Sequence, residues 1–443
     1  MDMDSGMNLD RISKLPDSVL CHILSFLTTK FAVGTSVLSR RWQYLWTSVA
    51  TLNFNDSEYF HNDLSFTNFV NTVLLLSDVS CLEKLSLKLI SFCYFGIVEA
   101  WICTALKRNV QKLELRYRFR CRPIQLPDML YICKTLVDLR LKGNITLKVP
   151  ASVWLPNLKI LEIEKVIYEN GDSAHNLIHG CPVLEDLHIY RLYFDEQKVL
   201  NISVPTLKRL ELSNDAHALF SDDESEHKLI VNTPRLEYLH LMDCDADEFS
   251  LENLSSLSDA HINVGPCFSG TLSSSNVLKL LKGIANVKSL SFFCELSDYR
   301  LPTFPNLTHL RLGGRHGGWN VKLLNEFLEC SPNLQVLTLE VCRDLVAGYD
   351  EAIKFWNPPK QVPSCFSCLK EIQIEGFRGR GYELEMLEYF LQNSKVLGKM
   401  TIGHVSPDDC FCGKLVAFRK ESKTCRIDVN CLKHRRIVEP KQG

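Results

Sequence analysis

A single aliphatic frame, Leu-x-x-Leu-x-Leu with aliphatic replacements, recurs thirteen times in this chain, and any fold it adopts has to bury every copy. The copies begin at Leu82, Val110, Leu136, Leu158, Leu184, Leu207, Leu236, Leu257, Val287, Leu307, Leu334, Leu369 and Leu397. Their spacing averages about 26 residues, the length of one short strand plus a return to the same edge. Side chains alternate along a strand, so the aliphatic positions of the frame point inward and those between them point out. One copy cannot bury its own apolar face, so the copies must stack as neighbours in a parallel sheet. Longer intervals close with an amphipathic run and a Cys-Pro or Ser-Pro turn, as over Ala174–Leu187 and Asn325–Leu337. Shorter ones arrive through a bare proline turn, as over Val204–Leu210 and Phe304–Leu310. The expected architecture is an α/β solenoid, a horseshoe with helices or loops on its convex side and a broad concave face. At about 4.8 Å per strand that face spans roughly 58 Å, which suits a protein and far exceeds a metabolite.

The segment before the repeats has another period. Leu20, Ile23, Leu24 and Leu27 stand at i, i+3, i+4 and i+7, which predicts one apolar helical face. Pro16 suits the first turn, because its missing N–H would be unpaired there anyway, and Asp17 follows where the helix dipole favours an acid. A second short helix is expected to carry Ala32, Val33 and Val37, and a third to begin near Ser39 with Trp42, Leu45 and Trp46 on its apolar side. Three short helices make a poor core, and units below about 40 residues need a metal, disulfides or a partner. This head has the single cysteine Cys21. Its charge from Arg11 to Trp46 is +4, with Arg11, Lys14, Lys30, Arg40 and Arg41 against Asp17, which favours an acidic companion. The plainer alternative is a helical cap that seals the first repeat.

The wording of that head, Leu15-Pro16-Asp17, Ile23-Leu24, Leu27, Val37-Leu38-Ser39-Arg40-Arg41-Trp42 and Leu45-Trp46, closely resembles the F-box, the helical module that docks the Skp adaptor of cullin-RING ubiquitin ligases. The repeats resemble leucine-rich repeats. From Trp356 the chain reads WNPP and then a Gly376 turn, a helix over Tyr382–Leu391 and Leu397-Met400-Ile402, which resembles the FBD domain that ends plant F-box proteins. These resemblances imply a three-helix F-box over residues 8–55, a leucine-rich-repeat horseshoe over 56–355 and an FBD cap over 356–432 that continues the solenoid. They imply a non-catalytic substrate receptor of an Skp-cullin-F-box ubiquitin ligase. It would meet an Skp-type adaptor, and through it cullin and RING subunits, at one end and a protein target along the repeats. On that reading Leu15, Pro16, Ile23, Leu24, Leu27, Val33, Leu38 and Trp42 face or support the adaptor, with Arg40 and Arg41 at its rim. Two rival readings stay open: a small-molecule-dependent receptor using the concave face, with Arg116 and Arg118 as its candidate residues, and a protein-binding scaffold that acts without a ligase.

Composition narrows the remaining classes. A net charge of −2, with 46% hydrophobic and 23% charged residues, argues against wholesale disorder and against a surface that coats nucleic acid. Met1–Ile12 holds three Asp and no apolar core, so a cytoplasmic or nuclear chain is expected rather than a secreted one, and no apolar run reaches membrane-spanning length. Eighteen cysteines are too dilute for a disulfide scaffold and read mostly as packed free thiols, so no cofactor or metal is expected.

Four patterns carry some chemistry. Cys365 and Cys368 have zinc-like spacing, with Cys410 and Cys412 as possible completion, but packed thiols account for them better. Gly376, Gly379 and Gly381 lie between a strand and a helix, where phosphate loops lie, yet a turn needing positive φ explains them as well. Arg116, Arg118, Arg120 and Arg122 alternate and could share a face toward a polyanion, or form a solvated repeat edge. The fifth frame position holds His188, Glu211, His240 and His261 in four consecutive copies, with Tyr238 and His309 at third positions; these six are the candidate target-reading residues. The acidic run 221–226 and the basic motif from Lys433 to Arg436 read as a solvated insertion and a tail. No nucleophile, base and oxyanion set is evident, so catalysis within the chain is not expected.

Overall fold

Burial follows the frame at every copy. The structure, a computed structural model, describes residues 12, 14–59, 63–91, 94, 96–191, 199–214, 228–242, 248–264, 274–294, 300–314, 321–341, 356–404, 415, 418–431 and 434–438. The first, fourth and sixth frame residues are buried in all thirteen copies, from Leu82, Leu85 and Leu87 to Leu397, Met400 and Ile402. Each such side chain contributes about 1.5–3 kcal/mol when it leaves water. The chain divides into two compact units, Met1–Gln197 and Lys198–Gly443.

In the first unit the strands Thr51–Asn55, Lys84–Leu89, Lys112–Tyr117, Asp138–Gly143, Ile160–Glu164 and Asp186–Arg191 lie parallel in chain order. Leu85 pairs with Leu113, Leu113 with Leu139, Leu139 with Leu161 and Leu161 with Leu187, so like frame positions stand side by side with no slip. A one-residue slip would turn every aliphatic side chain to the wrong face, which is why the register is firm. Thr51–Asn55 is a strand that lacks the full frame, yet Leu52 and Phe54 are buried in register with Leu85 and Leu87, the fourth and sixth frame positions of its neighbour; the sequence range 8–55 thus includes the sheet's first strand. Phe66 on helix Asp63–Leu76 meets Trp101 on helix Val98–Lys107 at 6.1 Å, and the Trp101 indole donates to Asn71 at 2.8 Å.

In the second unit Arg209–Asn214, Tyr238–Met242, Asp259–Asn263, Ser289–Phe293, His309–Gly314, Val336–Val341, Glu371–Phe377, Lys399–His404 and Arg426–Cys431 lie parallel in chain order. The last is a further repeat strand beyond Leu397, with Ile427 and Val429 buried. His434–Val438 then turns back antiparallel against it, so the basic motif read as a tail is largely an edge strand; Lys433 lies outside the described residues. Return segments are helices such as Val321–Cys330 in some repeats, and in others a short strand: Val199–Ile202, Lys228–Asn232 and Glu248–Glu252 form a parallel sheet of their own. Trp356 begins the FBD-like block because its ring packs on Tyr389 at 5.0 Å, across helix Gly381–Asn393.

Two local expectations change and one holds. The third head segment is a run of turns ending in a 3-10 helix, Leu45–Ser48, because the backbone leaves the helical region at Tyr44, at φ −123° and ψ 3°; Trp42, Leu45 and Trp46 are buried all the same. Cys121 is disulfide-bonded, an exception to the free thiols expected. Cys365 does pack as a thiol, pushed up to about 12 by burial, while Cys410 and Cys412 lie outside the described residues.

Candidate docking surfaces

The head has two apolar sides. Helix Asp17–Leu24 starts at Pro16, as its sequence predicts, but its apolar residues divide. Leu20 and Leu24 are buried, at 0% and 1% exposure, against Ala32, Trp42, Leu45 and Trp46 in the same core. Val19, Ile23, Phe26 and Leu27 remain exposed, and so do Phe31, Val37, Leu38 and Tyr44. The four residues read as one helical face are therefore two faces. Among the described residues twenty large apolar side chains are exposed, and nine of them fall between Ile12 and Tyr44. So dense an apolar surface marks an interaction site.

The inner side is joined to the first repeat. Thr29 Oγ1 accepts from the Asn53 N–H at 2.7 Å, and the Ala50 carbonyl accepts from Glu83 and Lys84 at 2.8 and 3.2 Å. The cap reading and the docking reading thus describe opposite sides of one module. Of the predicted adaptor residues, Leu24 and Trp42 are buried supports, Leu15 and Val33 are half-buried, and Pro16, Ile23, Leu27, Leu38, Arg40 and Arg41 are exposed. Arg41 is engaged at home: its Nε donates to Asp17 at 2.8 Å and its Nη2 to the Leu15 carbonyl at 2.5 Å, fixing the start of the first helix. Lys30 donates to the Glu58 carbonyl and lies 4.5 Å from the Tyr59 ring centre. Arg11 lies outside the described residues. Among the described residues Lys14 and Arg40 are therefore the head cations with neither a hydrogen bond, an ion pair nor a ring contact, and Lys30 has contacts but no ion pair. The exposed Phe26 and Phe31 were missed, because the sequence pattern drew attention to the aliphatic positions.

Ion pairs line the outward rows of both units, among them Arg311 with Glu340 and Lys399 with Glu371 in the second, which adds a cluster of rings. In the first unit Lys84 meets Glu114 at 3.0 Å, Arg140 bridges Asp138 at 2.9 Å and Glu162 at 3.2 Å, and Lys142 bridges Glu162 at 2.5 Å and Glu164 at 3.2 Å. Burial acts to lower the Lys142 pKa, but hydrogen bonds and charge from Glu162 and Glu164 leave it raised. His188, at the fifth position of its strand, stands in register with Glu162 in this unit.

In the second unit Glu211 pairs in register with His240, and His240 with His261. The His240 and His261 rings meet edge to face at 5.8 Å, Tyr238 lies 5.4 Å from His261, and the Arg209 guanidinium sits 4.2 Å over the Tyr238 ring. Burial, followed by the neighbouring His240 charge, holds the His261 pKa below the usual histidine value. His309 is not part of this cluster: it is exposed, in register with Ser289 across from Asp259, and its Nδ1 is 2.9 Å from Thr308 Oγ1. Cross-strand adjacency joins Glu211, Tyr238, His240 and His261 into one half-buried surface of mixed aromatic and titratable character.

The glycine run is a turn closed by its own acid. Gly376 and Gly379 have φ of +76° and +75°, and the buried Glu383 carboxylate accepts from the N–H groups of Arg378 and Arg380 at 3.1 and 2.9 Å. Those are the donors a phosphate would need, so this loop is not a phosphate cradle. No group of three or more His, Cys, Asp or Glu placed to hold a metal occurs among the described residues. No helix among them is long and apolar enough to cross a membrane.

An α/β solenoid of leucine-rich strands with a helical head exposing an apolar face defines a class of docking and binding proteins. Comparison with known proteins places the parts. The F-box domain family matches residues 12–53, the leucine-rich repeats of FBD-associated F-box protein At5g56370 match 98–253, and the FBD family matches 357–402. No catalytic family is among them. F-box/FBD/LRR-repeat protein At5g22700 of Arabidopsis thaliana is 34% identical over 447 residues, covering 96% of this chain and 99% of its own length. F-box/FBD/LRR-repeat protein At4g26340 of the same plant is 34% identical over 88% of this chain and 91% of its own length. The chain belongs to the plant F-box/FBD/LRR-repeat family.

Proposed function

We propose that this protein is the substrate receptor of an Skp-cullin-F-box ubiquitin ligase, acting in the cytoplasm, the nucleus or both. The observation that carries this is the apolar face of the head, built from Ile23, Phe26, Leu27, Phe31, Val37 and Leu38, which the fold leaves in water although the opposite side of the same helices is fully packed. An Skp-type adaptor covers that face, with exposed Arg40 at its rim, and brings cullin and RING subunits with it. Leu24 and Trp42 hold the face from behind. The outward surface of Glu211, Tyr238, His240 and His261, with His188 and His309 as further candidates, reads the protein target. The receptor supplies proximity: it presents a target lysine to a ubiquitin-charged enzyme held elsewhere in the assembly, and no residue of this chain touches the reacting thioester.

Adaptor capture by the full chain tests the reading. Ile23→Asp with Leu27→Asp places two charges in the apolar face and is expected to weaken adaptor binding at least about 100-fold. Leu75→Asp with Leu76→Asp, on an exposed apolar stretch outside the head, leaves it unchanged. Retained binding by the head variant, at an unchanged melting temperature, would defeat the assignment.

A further inference from the structure

The outward row of the first unit is self-paired except at one place. Lys88, Arg116, Lys142 and Glu164 stand side by side across four strands. Lys142 takes Glu164 at 3.2 Å together with Glu162 at 2.5 Å, and Glu114, two residues before Arg116, is taken by Lys84 at 3.0 Å, so these carboxylates are already engaged. Beyond the strand end at Tyr117 the chain turns, and the turn brings Arg118 and Arg120 to the same hollow. The result is a cavity of about 320 Å³ lined by Arg116, Arg118, Arg120 and Lys142, with Ile90 and Phe119 as exposed apolar walls. Arg122, the fourth arginine of the run, does not line it.

Shape and charge restrict what fits. Gly143 forms part of the lining at φ +107°, and a side chain there would run into the Tyr117 carbonyl, so the backbone can take this path only with glycine. Arg118 Nη1 donates to the Ser91 carbonyl at 2.7 Å, which fixes that guanidinium in place. Arg116, Arg118 and Arg120 have no carboxylate partner among the described residues. Lys142 is already held by Glu162 and Glu164, which leaves three guanidiniums around the hollow without a carboxylate among the described residues. Such an excess of forked donors exceeds what the two oxygens of a carboxylate can accept, whereas a phosphomonoester offers three terminal oxygens and a charge near −2. A cavity at the small end of ligand pockets, with apolar walls, also has room for the group that carries the phosphate.

We propose that this cavity binds a phosphomonoester carried on an apolar or aromatic body. The ester comes from one of two sources, a phosphorylated side chain of a bound protein or a soluble phosphate ester, and the chemistry recognised is the same. The proposal stands apart from the adaptor reading, since it uses no residue of the head.

Isothermal titration of the full chain with phenyl phosphate, inorganic phosphate and benzoate tests it. Saturable binding is expected for phenyl phosphate, tighter than for inorganic phosphate, which lacks the apolar body, and tighter than for benzoate. Arg116→Ala with Arg120→Ala, both exposed, weakens phenyl phosphate binding at least about tenfold without lowering the melting temperature. Arg122→Ala changes it less than about twofold, as expected of a charge outside the cavity. A phosphotyrosyl peptide that binds more tightly than phenyl phosphate identifies a protein side chain as the source; equal binding identifies a soluble ester. No saturation up to about 5 mM, benzoate binding as tightly as phenyl phosphate, or Arg122→Ala acting as strongly as the double variant would overturn the proposal.

Discussion

The two units carry the same inward frame, and ion pairs cross the outward rows of both, but the second unit adds a cluster of rings around His261. In the first, Lys84, Glu114, Asp138, Arg140, Lys142, Glu162 and Glu164 spend their charges on one another. In the second, the rings of Tyr238 and His240 meet that of His261, and the Arg209 guanidinium sits over Tyr238. A self-paired charge network resists a partner, because covering it strips water from charges that are already paired and gain no new partner in return. Half-buried aromatic rings favour one, because they bring apolar area with little side-chain entropy to lose. Fold and recognition are therefore separable here: the frame builds the sheet identically in both units, and the outward positions decide which part of it binds.

The largest effects fall where the units are alike. Leu141→Ala in the first unit and Leu241→Ala in the second each empty a fully buried frame position, and each is expected to cost about 2–5 kcal/mol, read from denaturant midpoints. A cost confined to one unit would mean that the frame does not bear on both alike. Target affinity should separate them. With a target captured by a chain unable to hold the adaptor, Tyr238→Ala with His261→Ala weakens binding about 10- to 30-fold, while Arg140→Ala leaves it within about twofold. The reverse pattern would move target reading to the first unit.

Smaller effects sharpen the electrostatic side. Glu162→Gln removes the acid shared by Arg140 and Lys142, at 21% exposure, and is expected to cost about 1 kcal/mol, less in high salt. The second unit responds to pH instead. With the His261 pKa depressed in the fold, first by burial and then by His240, the unfolded chain takes its proton more readily. The stabilisation is complete above the unfolded value near 6.5 and is lost as pH falls through the lower folded value. Melting temperatures measured from pH 8 down to about 5 should fall, and His261→Asn should flatten that slope.

Much of this was legible in the residues. The thirteen frames, their inward positions and the start of the first helix at Pro16 follow from periodicity, because a strand's alternation and a helix's first turn are local rules. Less legible were Thr51–Asn55 and Arg426–Cys431, which pair as repeat strands with only part of the frame, since the neighbouring strand supplies what their own sequence lacks. The split of Leu20 and Leu24 from Ile23 and Leu27 was also hidden, because an apolar stripe does not say which part of it another segment will cover. The arginine run was read as one alternating face, but the strand ends at Tyr117 and it is the turn beyond it that gathers Arg118 and Arg120 around Arg116.

Stacked repeats in a parallel sheet and a short helical head can be read from the residues alone, since aliphatic side chains at fixed spacing have one economical way out of water. Which side of the head stays bare, that Glu383 fills its own glycine turn, and that three arginines meet around a hollow with no acid left to pair them emerge in the folded chain. Those outcomes depend on contacts between residues far apart in the chain, and no local period encodes them.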